Sequence, residues 1–452
     1  MDRMRKLFRQ EEQAYEPLEG GSVAQDGERL EEDDEKKSFT WLEYLIFLLL
    51  GVAMLWAWNM FLAAGPYFQS RFKSNEKILH TFQSTQLSVS TVVNLGSMLL
   101  LAKMQAKASY PKRIGAALII NVVTFTLLAI STRHFLDISA KGYFAFMVIM
   151  VTAASFASSL CGNGIFAYVS GFGREEYTQA IMTGQGVAGV LPPAAQIISV
   201  MSIPEGPGVT EGEVERESGK SAFAYFMTAT FVSAITLVAF SYLVSRQRGR
   251  SPARRMADSI EDMRSSTASL RETVPLLTLL RKLFWLAAAV FLDFAVTMVF
   301  PVFTQEIRSV RPTDSAPRLL QPASFIPLAF LFWNIGDLLG RILPAVPALS
   351  LTSRPRTVFG LSVARIVFVP LYLLCNVGGA GAAVKSDFFY LIVVQMGFGV
   401  TNGFIGSTCM MGAPEWVDVH EREAAGAFMG LCLVAGLAVG SLASFAVAAA
   451  LL

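Results

Sequence analysis

Charge is scarce in this sequence. Only 16% of its 452 residues are Asp, Glu, Lys or Arg, where a soluble domain carries about a quarter. That shortage excludes the solvated surface of an ordinary water-soluble enzyme. Histidine is rarer still: His80, His134 and His420 are far apart in the chain, so no histidine-based metal site is expected. The four cysteines, Cys161, Cys375, Cys409 and Cys432, lie in apolar segments without metal spacing. They are expected to be small packing residues rather than ligands or disulfide partners. A Gly-rich phosphate loop ending in Gly-Lys-Ser/Thr is missing, as are His-Glu-x-x-His and Ser/His/Asp arrangements. Enzymatic chemistry, ATP-driven work, a resident metal and a cofactor are therefore not expected. A net charge of +2 likewise gives no basis for a nucleic-acid partner.

What the sequence does have is apolar length. Hydrophobic residues make up 53% of it, and the mean hydropathy is +0.48. The apolar residues fall in runs of about 20 or more, the length that crosses a bilayer as a helix. Eleven spans are expected, at roughly 41–65, 81–103, 113–132, 143–171, 179–201, 220–244, 282–305, 321–350, 356–378, 387–412 and 422–451. The predicted fold class is an all-α polytopic membrane protein. Lys and Arg concentrate before the first span and in 245–281. The positive-inside rule then places the N-terminus in the cytosol, and an odd span count places the C-terminus on the lumenal or extracellular side.

The chain divides by composition. Residues 1–40 are polar and acid-rich and are expected to be a disordered cytosolic tail without a cleavable signal peptide. Its Tyr15–Leu18, YEPL, has the form of a tyrosine-based sorting signal, which an adaptor would read. Residues 245–281 are an Arg- and Ser-rich linker. Around Ser251 it reads RGRSPARR, either a site for a basophilic kinase or a basic segment held near anionic lipid headgroups. The linker separates six spans (41–244) from five (282–452), an arrangement that suggests two bundles with a solute site between them. The Pro/Gly/Glu-rich loop 202–219 is expected to be unstructured.

Polar groups inside the spans mark the solute path, because a charge at the bilayer centre costs at least about 2.5–3.5 kcal/mol. Asp337 and Arg341 sit i, i+4 in FWNIGDLLGR, so they share a helical face. Such a pair either locks helices together or forms the wall of an aqueous cavity. In the second case the carboxylate accepts hydroxyls of a diol and the guanidinium holds it in place. Asn334 and Phe330 extend the same face. Trp58, deep in the first span and next to Asn59, is placed to stack on a flat ligand or to pack. Asn163, between glycines in the fourth span, can pair with the edge of a base. Asp293 in the seventh span is a candidate proton-coupling acid, or a structural one. Arg365 in the ninth is expected to snorkel to the inner surface. Pro192 and Pro193 are expected to kink the fifth span, whose glycines suit close helix packing.

Five motifs occur in order: WN at Trp58, YTQAIMTGQGVAG entering span five, NIGDLLGR at 334–341, TNGFIGSTCM in span ten and EREAAGAFMGLCLVAGLAVGS in span eleven. Together they resemble the equilibrative nucleoside transporter family. The resemblance implies eleven helices in a major-facilitator-like fold and alternating-access transport of nucleosides, sometimes nucleobases. It implies that Asp337 and Arg341 engage the ribose, that Trp58 packs beside the ligand, and that Asn163 stands where many members place a base-contacting glutamine. It also assigns cavity positions to Leu62, Thr91, Phe330, Asn334 and Leu437. Ala57 stands where a proline is usual before Trp-Asn. The tail, YEPL and the acidic outer loop resemble intracellular fungal members, so a vacuolar membrane is expected over the plasma membrane. A carrier of another polyol-like or cationic solute is the alternative that the residues themselves leave open.

Overall fold

Lipid offers backbone N–H and C=O groups no partners, so each apolar run must satisfy its own by coiling. The computed structural model describes residues 39–105, 108–134, 136–202, 211–249, 274–312 and 316–451. Tyr15–Leu18 and the surroundings of Ser251 lie outside the described residues. The first seven helices are α1 (Trp41–Ala63), α2 (Gly65–Phe72), α3 (Glu76–Lys103), α4 (Tyr110–His134), α5 (Ala140–Gly171), α6 (Glu175–Ser202) and α7 (Glu211–Gly249). They are followed by α8 (Leu276–Lys282), α9 (Phe284–Thr297), α10 (Phe300–Glu306), α11 (Pro322–Ile342), α12 (Pro355–Ala364), α13 (Phe368–Leu373), α14 (Gly397–Gly412) and α15 (Arg422–Leu451). A π-helical stretch, Phe389–Met396, leads into α14.

Local chemistry sets several of these ends. The Asn75 side chain accepts from the Ile78 amide at 3.2 Å and starts α3. The Ser139 hydroxyl does the same for Gly142 at 3.3 Å and starts α5.

Ten helical segments are long and apolar enough to cross a membrane among the described residues. They fall on ten of the eleven expected spans. The remaining span, 179–201, falls on α6, a 28-residue helix outside that set of ten, whose Gln179, Gln185 and Gln196 lower its apolar content. The outer surface of the helices is apolar: Val92, Val238 and Leu442 are each at least 70% exposed. Water would not tolerate that surface at such density, whereas lipid does. The chain is a multi-pass membrane protein.

Three expectations change in detail. Of the loop 202–219, residues 211–219 are helical and open α7; acids in EGEVERE favour a helix N-terminus. Span seven breaks between α9 and α10, just before Pro301. Span nine breaks at a 3-10 turn, Arg365–Val367. There Arg365 is 1% exposed. It does not snorkel, because a buried acid partner holds it inside.

Packing follows the small residues. Residues Leu42–Leu452 form one compact unit, in which α4 packs on α7, α11 on α14, α9 on α15, and α6 on α11. An aromatic core of Phe61, Phe68, Phe72, Phe125, Tyr143 and Phe226 fills the space among α1 to α5 and α7.

Candidate functional site

The site begins with a pair of glycine-lined helices. A Cβ at Gly340 of α11 would lie 2.1 Å from the Val400 carbonyl oxygen, and one at Gly403 of α14 would lie 2.0 Å from that of Asp337. No side chain fits there, so α11 and α14 meet backbone to backbone. That contact carries Asn402 of α14 to the side of Asp337.

Asp337 is 4% exposed and both of its carboxylate oxygens accept hydrogen bonds. Arg341 Nε donates to Oδ2 at 2.6 Å, and Asn402 Nδ2 donates to Oδ1 at 2.5 Å. Arg341 is also 4% exposed. Its Nη1 donates to Gln185 Oε1 at 2.9 Å and to the Met182 carbonyl at 3.3 Å, so α6 and α11 are joined through it. Removing one member of a buried pair strands the other, at a cost of about 3–5 kcal/mol.

A cavity of about 310 Å³ opens beside this pair, between α1, α3, α5, α6, α9, α11 and α15. Arg341 and Gln185 line one side. Trp58, Met54, Phe166 and Phe294 supply apolar wall, and Ser90, Thr91, Asn94, Ser158 and Ser441 supply polar groups. Its size and mixed lining match a site for one small amphipathic ligand.

The structure therefore gathers four of the ten residues singled out by sequence, Trp58, Thr91, Arg341 and Leu437, on the cavity wall. Asp337 sits behind Arg341. Asn163 is turned elsewhere: its Oδ1 accepts from Arg113 Nη1 at 2.5 Å, while Arg113 Nη2 donates to the Met104 carbonyl at 2.8 Å. Asn163 thus ties α5 to α4 and the end of α3. Asn334 donates to the Phe330 carbonyl of its own helix at 2.8 Å, and Phe330 packs edge-on against Phe300 at 5.1 Å. Leu62 is 50% exposed. None of these four is among the lining residues.

Asp293 is fully buried and outside the lining. Its Oδ1 is paired with Arg365 Nη1, and its Oδ2 has no hydrogen-bond partner among the described residues. Sequence reasoning missed Gln185 and Asn94. Both are in-span amides, so the rule that flagged Asn163 also covers them. The glycines around Gln185 drew attention to packing instead. Asn94 lies one turn from Ser90 and Thr91 on the same polar stripe.

The buried charge pair, the cavity beside it and the lipid-facing exterior define a polytopic solute carrier. The fold agrees. The chain is similar to the outward conformation of FucP, a major facilitator superfamily transporter, at a TM-score of 0.52 and 13% identity over 90% of this chain and 98% of that one. It is similar to the superfamily's proton:xylose symporter XylE at a TM-score of 0.53 and 12% identity, covering 89% and 86%. Residues 147–449 match the family described as nucleoside transporter. The nucleoside transporter FUN26 of Saccharomyces cerevisiae is 31% identical over 91% of this chain and 84% of its own length. Human equilibrative nucleoside transporter 1 is 27% identical over 89% and 96%. The chain belongs to the nucleoside transporter family; it is a transport protein and not an enzyme.

Proposed function

We propose that the chain carries nucleosides, and nucleobases with them, by alternating access of two bundles, residues 41–244 and 282–452, about the cavity. The observation that carries this reading is Arg341 on a cavity wall that also holds Trp58. The indole offers a flat apolar face to a base. The guanidinium offers N–H donors to ribose hydroxyls, and among the described residues its Nη2 makes no hydrogen bond. In this conformation the ribose contact falls to Arg341, and Asp337, through its bond to Nε, holds it oriented. Asn94 and Ser158 are wall groups that can pair with a base. A positive wall disfavours a cationic solute; a polyol is the competing substrate.

Uptake of labelled uridine and adenosine into proteoliposomes tests the proposal. Saturable flux is expected, blocked by purine and pyrimidine nucleosides but not by hexoses. Block by hexoses at equal concentration would favour the polyol. Arg341→Lys loses the planar fork, and kcat/KM should fall about ten- to a hundredfold, the equivalent of a charged hydrogen bond. Asp337→Ala should fall at least as far.

Asp293, buried with one oxygen unpartnered, is the group through which a proton gradient would couple. If an imposed gradient drives accumulation in the wild type, Asp293→Asn should abolish it. The short tail, its YEPL and the acidic outer loop 202–219 support an internal, vacuole-type membrane with the N-terminus cytosolic and the C-terminus lumenal. Adaptor and kinase contacts then fall on 1–40 and 245–281.

A further inference from the structure

The motif TNGF, Thr401–Phe404, puts a buried amide between two ion pairs. Asn402 is 1% exposed on α14 and outside the cavity lining. On one side its Nδ2 donates to Asp337 Oδ1 at 2.5 Å. On the other its Oδ1 accepts from the Thr297 hydroxyl of α9 at 2.6 Å. Thr297 Oγ1 in turn accepts from Arg365 Nη2 at 3.1 Å. A threonine hydroxyl has one proton to give. The Asp293 carbonyl, 2.8 Å from it, is the other acceptor in reach; it lies farther off than Asn402 Oδ1 and is satisfied without the hydroxyl, because Arg365 Nη1 donates to it at 2.7 Å. Asn402 Oδ1 has no other donor among the described residues.

Every link therefore runs the same way, from Arg365 through Thr297 and Asn402 to the Asp337 carboxylate. A chain that starts on a cation and ends on an anion polarises each bond in it. Turning the Asn402 amide over would set its oxygen against the carboxylate and its NH2 against Thr297 Oγ1, which already accepts from Arg365 Nη2. The two charged ends fix its orientation, and its orientation fixes Asp337 Oδ1. Asp337 Oδ2 is then left for Arg341.

We infer that Asn402 and Thr297 are positioning residues: they aim Asp337 at Arg341 from behind the cavity, with Arg365 as their anchor. This deepens the proposed function, and its effect on transport rests on that reading. A second readout does not: modification of Arg341 by phenylglyoxal without nucleoside, followed by mass spectrometry of its peptide.

Thr297→Val keeps shape and deletes the hydroxyl; Asn402→Ala deletes the amide. Both should speed Arg341 modification about fivefold or more as the charged hydrogen bonds loosen. Both should raise KM for uridine about tenfold with kcat within about twofold, the signature of lost substrate binding. Thr297→Ser should restore wild-type values. Thr408→Val is the control, because the buried Thr408 hydroxyl bonds only the Phe404 carbonyl of its own helix, at 2.7 Å. It should change neither readout. Wild-type modification rates in both relay variants, or an equal rise in Thr408→Val, would overturn the inference. If Asn402→Ala does not elute as a single species, the contrast of Thr297→Val with Thr297→Ser decides alone. Absence of wild-type uridine flux would overturn the nucleoside reading and leave the modification test standing.

Discussion

Helix α11 has two seams built from glycine, and they differ in what the glycines face. Against α14, the missing Cβ atoms of Gly336, Gly340, Gly399 and Gly403 would all strike carbonyl oxygens at 2.0–2.3 Å. Against α6, Gly186 faces the Leu338 side chain and Cα and the Arg341 side chain, and Gly189 faces the Asn334 amide. The first seam is backbone on backbone and has one register. The second is mostly backbone on side chains, which have other rotamers. A carrier needs both kinds: a rigid pair to hold Asp337 beside Asn402, and an interface that can shift around the solute. The α6–α11 seam joins the two sides of the cavity, and it is the one expected to move.

Substitutions that test this contrast should rank by how little the neighbours can give. Gly403→Val puts a branched side chain where the Asp337 oxygen and the Arg341 amide nitrogen would be 2.0 and 2.7 Å from Cβ. A cost of about 3 kcal/mol or more is expected, read as loss of monodisperse protein in size-exclusion chromatography. Recovery with a wild-type Tm would mean that the α11–α14 seam is not rigid. Gly186→Ala meets the Leu338 Cδ1 at 2.9 Å, which a side-chain shift can relieve, and the Leu338 Cα at 3.0 Å, which it cannot. The protein should fold, lose about 1–2 kcal/mol and transport more slowly; a loss as large as that of Gly403→Val would erase the distinction.

Arg318, just before α11, donates to the Met201 and Val200 carbonyls at the end of α6 at 3.0 and 2.9 Å. Arg318→Ala should cost only about 0.5–1 kcal/mol as a lost helix-end cation. Because it frees the α6–α11 seam, it should raise exchange of amides near the end of α6 without altering α14. Equal change in both helices would argue for general loosening.

A last effect concerns pH. At the start of α6, burial first, and then the hydrogen bond and charge of Glu415, push the Glu175 carboxyl up to about 8 from 4.5. The folded chain keeps a proton there that the unfolded chain has released, so stability falls as pH rises from about 4.5 to about 8 and levels off above. In Glu175→Gln that part of the slope should vanish in thermal shifts measured at pH 5 and 8. An unchanged slope would remove Glu175 from the pH response.

Much of the fold was legible from one dimension. Runs of apolar residues, scarce charge and capping residues such as Asn75 and Ser139 each act locally, through lipid or through their own helix. The site was legible only in part. Asp337 and Arg341 stood out because buried charge is costly wherever it occurs, and their four-residue spacing already implied a pair. Asn163 stood out by the same rule, yet it pairs with Arg113, fifty positions away. Arg365 seemed close enough to a helix end to reach water, and it pairs instead with Asp293 on another helix.

The sequence by itself determined that this chain lives in a membrane, that it is helical, which family its motifs resemble, and that span eight carries a compensated charge pair. Those properties follow from residue types and spacings within single helices. The tertiary structure alone decided which polar side chains share a cavity, that Arg341 rather than Asp337 lines it, and that Asn402 and Thr297 link two ion pairs. Those outcomes depend on how closely separate helices approach and at what register. Here the approach is set by glycines that meet carbonyls contributed by distant parts of the chain.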